Sequence, residues 1–487
     1  MADGGDPIFS PIVLPVSGRK VRNRLVKVSL YEHLATLFGG PPNQYHFQLY
    51  SKWSAYDWGM IFTGNIQVSP QHLCLARDLV LPNGLSKQNL KSFRQLASAM
   101  RGEREQQPLA IMQLSHAGRQ SPNILGGRFP FTRPLGPSSI RLGSSLKHKG
   151  ILSNLLHRIM FQIPRSMSLA DIDDVVNAFV RGAKLAAQTG YDGVELHAAH
   201  GYLLAQFMSP KSNQRTDKYS CSPSNALRLL HRIVLVIRAA VPSNFILGLK
   251  LNAADYTDSG EVSRALNHLR TIAEWRMVDF IEISGGDYEK PDFLTHSALP
   301  SARQALFAEF SRQALDAVES IPHGPLILLT GGLATPAQLH GALNSRHAHL
   351  LGLGRSAVLC PDLPAHLKQK CTPDSHIPFG QQPDLGVGAD AWHWILVRLP
   401  RIKLLGAGVA MAWYVVALRR LTTPGSPLRR PDYMVRGMGG IVWMWAWFGP
   451  ELSRFHTGTT QPRFLFLSGF VAVAAVVLVW LNVMHMG

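Results

Sequence analysis

A chain of 487 residues with 46% hydrophobic content has room for one large domain with an appendage and easily supports a packed core. Its formal charge of +18 suggests nucleic acid or an anionic membrane, but the residues after 390 hold ten Lys/Arg against two Asp/Glu, beside apolar runs; that placement favours the membrane surface and disfavours nucleic acid. Cys74, Cys221, Cys360 and Cys371 are too widely spaced for a zinc or iron–sulfur ligand set, so no metal centre is expected.

The N-terminal stretch MADGGDPIFSPIVLP has neither a charged n-region nor a continuous apolar run. No secretory leader is expected, and a reducing, cytosolic setting follows for the main domain. Eight short apolar runs then recur: VRNRLVKVSL (21–30), WGMIFTGNIQV (58–68), LAIMQLSH (109–116), DGVELHA (192–198), FILGLKLN (245–252), DFIEISGG (279–286), LILLTGG (326–332) and LLGLGRSA (350–357). Stretches of helical length separate most of them. In one, 169–190, Asp171, Asp173 and Asp174 suit the positive N-terminal end and Gly190 marks the stop.

Near-continuous apolar strands alternating with helices imply a covered parallel sheet. Eight such units predict an α/β fold, a closed (β/α)8 TIM barrel over residues 1–372. A Pro-, Gly- and Ser-rich insertion at about 120–168 follows the third strand and would overhang the active-site face. Gln113, His116, His197, His200, Lys250, Ser284, Thr330, Gly331 and Arg355 all fall at or just past strand C-terminal ends, where such barrels build their sites.

The remainder reads as a linker (373–403), an apolar helix with an Arg-rich connection (404–463), and a charge-free run, FLFLSGFVAVAAVVLVWLNVM (464–484). That last run is long enough to cross a hydrocarbon core of ~30 Å, so a single C-terminal membrane helix with a cytosolic barrel is expected. The shorter run LLGAGVAMAWYVVAL (404–418) has three readings: interfacial, packed on the barrel, or a tilted second span.

Among the candidate site residues, ILLTGGLATP (327–336) and LLGLGRSAV (350–358) each end in glycines before a helix start. Tight βα turns would show the same glycines. Together with Arg355 they also suit a phosphate, which barrels often hold after strands seven and eight. Gln113 and Lys250 could meet the edge of a flat heteroaromatic ring, as in flavin mononucleotide. His197 and His200 lack a third metal ligand at recognisable spacing, and suit two hydrogen bonds to one carbonyl oxygen. Tyr202 suits a proton donor.

NRLVK (23–27), TGNIQV (63–68), MQLSHAGRQS (112–121), VELHAAHGYLLAQFMSPKSNQRTDKY (194–219), TGG (330–332) and LGLGR (351–355) closely resemble the old yellow enzyme family of FMN-dependent oxidoreductases, over about residues 8–370. The resemblance implies FMN as cofactor and NADH or NADPH as hydride donor. The acceptor would be an activated alkene, an α,β-unsaturated carbonyl compound. It further implies that His197 and His200 bind the carbonyl oxygen and that Tyr202 protonates the α-carbon. Ser29, Leu30, Asn65, Gln113, Lys250, Gly331, Gly332, Gly354 and Arg355 would lie along the flavin. An NAD(P)H oxidase or quinone reductase, and an inactive membrane-bound barrel serving as a binding partner, are the alternative functions. The sequence departs from the family at Lys250 (often Arg), Ala226 (usually Arg), His349 (often Asp), Ser356 (often Pro) and Ser29-Leu30-Tyr31. The cysteine cluster of the larger dienoyl reductase relatives is absent.

Overall fold

The computed structural model describes residues 5–143, 151–252, 259–284, 300–369, 408–423 and 438–451. Each of the eight apolar runs contains a strand: β1 (Leu25–Lys27), β2 (Met60–Phe62), β3 (Leu109–Ser115), β4 (Gly193–Ala198), β5 (Ile246–Asn252), β6 (Phe280–Ser284), β7 (Leu326–Thr330) and β8 (Leu350–Leu353). Every strand pairs in parallel with the next, and β8 pairs with β1, so the sheet closes into the expected barrel. Strands β3, β4 and β5 are buried along their whole length, which is why they read as apolar runs rather than as alternation.

Helices α1 (Gln44–Ser54), α2 (Lys87–Arg101), α3 (Leu169–Thr189), α4 (Arg228–Ala240), α5 (Ser259–Glu274), α6 (Pro300–Glu319), α7 (Pro336–Asn344) and the short α8 (Arg355–Leu359) alternate with the strands. Local chemistry sets their ends. Ser168 caps α3 by accepting from the Asp171 N–H while Asp171 reaches back to Ser168, and Gly190 ends the helix at φ 91°.

Two apolar layers hold the barrel. The inner one gathers Val26, Met60, Ile111, Ile246, Phe280 and Leu350, and is plugged from below by Leu14 and Val21 of an N-terminal hairpin. The turn of that hairpin donates from the Val16 and Ser17 N–H groups to Asp279 at the foot of β6. The outer layer lies between strands and helices. Strand register then lifts the polar residues to common levels: Gln113 lies beside Glu195, His197 beside Lys250, Lys250 beside Glu282, and Ser284 between Asn252 and Thr330.

The tail decides among the three readings of 404–418. The described part of that run forms α9 (Gly408–Leu421), which packs against α1 and α8 and pairs with α10 (Met438–Trp445). Trp413, Ala417, Leu418 and Leu421 join the main core. Ala412, Val415, Met444 and Trp445 cover Leu37, Leu75, Ala76 and Leu125. The buried Arg419 guanidinium donates to the carbonyls of Trp443 and Met444 and meets His33 Nδ1 at 2.7 Å. Arg77 pairs with Glu451 at 3.0 Å and donates to the Trp447 carbonyl. The tail therefore grips the loops after β1 and β2. Among the described residues no helix is long and apolar enough to cross a membrane. The expected span 464–484 and the linker 373–403 lie outside the described residues.

Candidate active site

The HAAHGYLLAQ stretch is a strand end, a sharp turn and a buried helix. After β4 the chain passes through His200 and Gly201, both left-handed at φ 54° and 69°, before entering the helix Leu203–Met208 with Tyr202 at its start. Gln206 fixes this turn. Its amide donates to the carbonyls of Ala117 and Gly201, and its oxygen accepts from the Arg119 N–H. Gly118 is needed there, since a Cβ would lie 2.5 Å from the Gln206 oxygen. The polar run beyond is scaffolding. Asn213 donates to the carbonyls of Phe207 and Tyr219, while Arg215 pairs with Asp217 and donates to the Met167 carbonyl.

The structure brings His197, His200 and Tyr202 together. His197 Nε2 and His200 Nδ1 are 3.2 Å apart, and the Tyr202 ring stands edge-on to His197 with centroids 4.6 Å apart. The Ala199 N–H points at His197 Nδ1, which puts the His197 proton on Nε2, toward His200. His200 Nε2 lies 3.1 Å from Ser284 Oγ. A serine hydroxyl can donate or accept, so it tolerates the His200 proton on either nitrogen. Burial, then the charge of Lys250, pushes His200 down to about 3. Burial, His200 and Lys250 hold His197 well below the usual histidine range. At neutral pH both rings are uncharged donors.

The Tyr202 hydroxyl accepts from Asn65 Nδ2 at 3.2 Å and from the Cys74 thiol at 3.3 Å. Cys74 in turn accepts from Gln67, whose amide also donates to Asp78. Burial and the neighbouring Asp78 push the Cys74 thiol well above its usual range, so it keeps its proton and remains a donor. Cys74, Gln67 and Asp78 were not anticipated as site residues, because a loop delivers Cys74 and Asp78, and Gln67 sits in a strand of only two residues, Ile66–Gln67, too short to show a period.

Below this level lies a buried charge cluster. Lys250 Nζ donates to Glu282 at 2.8 Å, and Gln113 donates to Glu195 at 2.5 Å. Burial and the adjacent Glu282 drive the Glu195 carboxyl well above the usual range, which favours its protonated form. Lys250 and Gln113 are thus already anchored when they face the mouth. The glutamates were legible in principle. Glu195 is two residues from His197, and Glu282 two from Ser284, which puts each pair on one face of its strand.

The remaining candidates form a cradle that fits FMN. Ser29 Oγ, just past β1, and Thr330 Oγ1, at the end of β7, are buried without a hydrogen-bond partner among the described residues, as expected where a ligand supplies one. Gly331 and Gly332 take φ 115° and 72°, a conformation that favours glycine, and both are exposed. Leu30 approaches Gly354. Arg355 is exposed at the start of α8 and has no ion pair among the described residues. Of the departures from the family pattern, His349 accepts from the Ile327 N–H at the foot of β7, away from the mouth. Ala226 is buried in a loop that Asn225 closes onto Ser220. Neither disturbs the site.

Comparison with known proteins agrees with this fold. The family model for the NADH:flavin oxidoreductase / NADH oxidase family matches residues 7–373. The NADH-dependent flavin oxidoreductase iliE of Neonectria sp. (strain DH2) is 35% identical over 73% of this chain, which spans only 46% of that relative's length. The NADH-dependent flavin oxidoreductase iccE of Talaromyces variabilis is 31% identical over 84% of this chain and 96% of its own. The solved structure of the old yellow enzyme homologue from Zymomonas mobilis, at 21% identity and a TM-score of 0.57 over 78% of this chain and 98% of that one, shares the fold. The chain belongs to the NADH:flavin oxidoreductase / NADH oxidase family, the FMN- and NAD(P)H-dependent oxidoreductases of old yellow enzyme type.

Proposed function

We propose that the chain reduces the carbon–carbon double bond of an α,β-unsaturated carbonyl compound with electrons from NADH or NADPH. The observation that carries this reading is the meeting of two uncharged imidazoles and one phenol at a single strand end. FMN, when bound, supplies the hydride that reaches the β-carbon. Ser29, Leu30, Asn65, Gln113, Lys250, Gly331, Gly332, Gly354 and Arg355 hold it, with Arg355 and the two glycine turns at its phosphate. His197 and His200 donate to the substrate carbonyl oxygen and stabilise the negative charge that gathers there as the β-carbon accepts hydride. For both rings to donate, the His200 proton sits on Nδ1 and Ser284 donates to Nε2. Tyr202 then gives its proton to the α-carbon, and the Asn65 amide and Cys74 thiol stabilise the phenolate left behind.

Tyr202→Phe tests the assignment. Alkene reduction is expected to slow by about 10²- to 10⁴-fold, the usual worth of a positioned proton donor, while flavin reduction by NAD(P)H persists. Equal loss in both half-reactions overturns the role. The apolar run 464–484 favours a second reading, in which a lipophilic quinone is the acceptor and one C-terminal helix attaches the barrel to a membrane. Anaerobic reoxidation by enones, quinones and then oxygen separates the acceptors. Alkaline carbonate extraction of membranes tests the attachment.

A further inference from the structure

The tail brings one more polar group to the phosphate end of the barrel mouth. Helix α9 lies against α8, the short helix that starts at Arg355. Tyr414 belongs to α9, and its hydroxyl oxygen is shielded from solvent yet has no hydrogen-bond partner among the described residues. Buried hydroxyls rarely stay unpaired, so such an atom marks a missing acceptor or donor. The charge that acts on this phenol is the Arg355 guanidinium, which pulls its pKa down against the upward push of burial. The Arg355 guanidinium makes no hydrogen bond or ion pair within the described residues either. A cationic donor and a phenolic donor that share a neighbourhood but hold no acceptor describe a site for an anion.

We propose that Tyr414 donates a hydrogen bond to the phosphate of bound FMN beside Arg355, so that the tail helix forms one wall of the cofactor site. This rests on the reading of FMN given above and extends it to residues beyond the 7–373 family match. It also gives the docking of α9 a purpose beyond covering apolar surface. The grip of the tail on the loops after β1 and β2 fastens the helix that carries Tyr414 to the barrel.

The test uses the full-length chain, stripped of flavin and titrated with FMN and with riboflavin, which lacks the phosphate. Binding is followed by flavin fluorescence, and melting temperatures are recorded with and without FMN. Tyr414→Phe keeps the ring and removes only the hydroxyl. The expected result is about 10- to 100-fold weaker FMN binding, with riboflavin binding unchanged. The flavin-free melting temperature should stay equal or rise, since an unpaired hydroxyl has been removed, while the FMN-induced increase shrinks. Arg355→Met provides the reference loss of phosphate preference. Unchanged FMN affinity in Tyr414→Phe, or equal weakening for FMN and riboflavin, overturns the proposal. A wild-type chain that binds FMN better than riboflavin, with Tyr414→Phe indistinguishable from it, sinks this inference and leaves the FMN reading standing. A wild-type chain that takes up neither flavin sinks both.

Discussion

The Tyr202 hydroxyl accepts hydrogen bonds from Asn65 Nδ2 at 3.2 Å and Cys74 Sγ at 3.3 Å, both from the segment that follows β2. Two donors aimed at one phenol oxygen stabilise the phenolate more than the phenol, and so favour release of its proton. Removing one donor to a developing charge forfeits about 1.5–3 kcal/mol, a factor of about 10 to 100 in rate. Asn65→Ala and Cys74→Ala are each expected to slow alkene reduction by that factor. Cys74→Ser keeps a donor and retains most of the rate. Stopped-flow traces of the two half-reactions check this, with flavin reduction by NAD(P)H as the internal control for Cys74.

The Lys250, Glu282 and Glu195 cluster predicts an asymmetry between its members. Burial and Glu282 favour the protonated form of Glu195, so Glu195→Gln, which supplies a neutral group of similar shape, is expected to cost under about 1 kcal/mol. Lys250→Met removes the cation opposite Glu282, which is fully buried. Breaking a buried pair from one side costs about 3–5 kcal/mol. Denaturant unfolding of the two flavin-free variants measures the difference. Similar losses for both would show that the proton is not on Glu195.

The barrel was legible because its strands are buried on both faces and therefore stand out as apolar runs between helices. The site was legible in His197, His200 and Tyr202 because they crowd one strand end. The tail was not. The residues of α9 are apolar almost all round, and hydropathy alone cannot tell a helix clasped by loops from one facing lipid. What distinguishes them is the fate of Arg419, whose buried guanidinium binds two carbonyls of the facing segment. Such a partner lies 24 residues away and leaves no local periodicity. Cys74 escaped notice for the same reason, since its relation to Tyr202 spans 128 residues of chain.

That clasp carries its own prediction. Arg77 and Glu451 are almost fully buried, and Glu451 also accepts from the Leu37 N–H at 2.7 Å. Glu451→Ala leaves the guanidinium unpaired and one backbone N–H without its acceptor. A loss of about 3–5 kcal/mol is expected, felt first as loosening of the tail from the loops after β1 and β2. Limited proteolysis with mass analysis should then release the tail more readily, before the barrel itself is cleaved. Unchanged proteolysis and unchanged melting would show that the apolar contacts of α9 and α10 hold the tail without the ion pair.

Acid should unfold this protein early. His46, His116 and His200 are pushed down to about 3, and His33, His72 and His197 well below the usual range, burial being the largest cause in each. Unfolded histidine takes a proton near pH ~6.5. Below that pH the unfolded chain binds protons that the folded chain refuses at these six sites, so stability is lost as pH falls from about 6.5 toward 3. Glu32, Asp78 and Glu195 act oppositely. Burial raises their pKa values, so they hold protons in the folded state over part of the same range. Six histidines less three carboxyls leaves a net uptake of at least three protons on unfolding. At about 1.4 kcal/mol per proton per pH unit, the slope is about 4 kcal/mol per pH unit. Against a typical stability of about 5–15 kcal/mol, that slope should unfold the flavin-free protein between about pH 5 and 3. Circular dichroism across pH 2–8 measures the midpoint. His46→Gln, remote from the mouth, removes one of the refused protons and should move that midpoint to lower pH. A midpoint that stays put would mean that protonation of the buried histidines does not drive the transition.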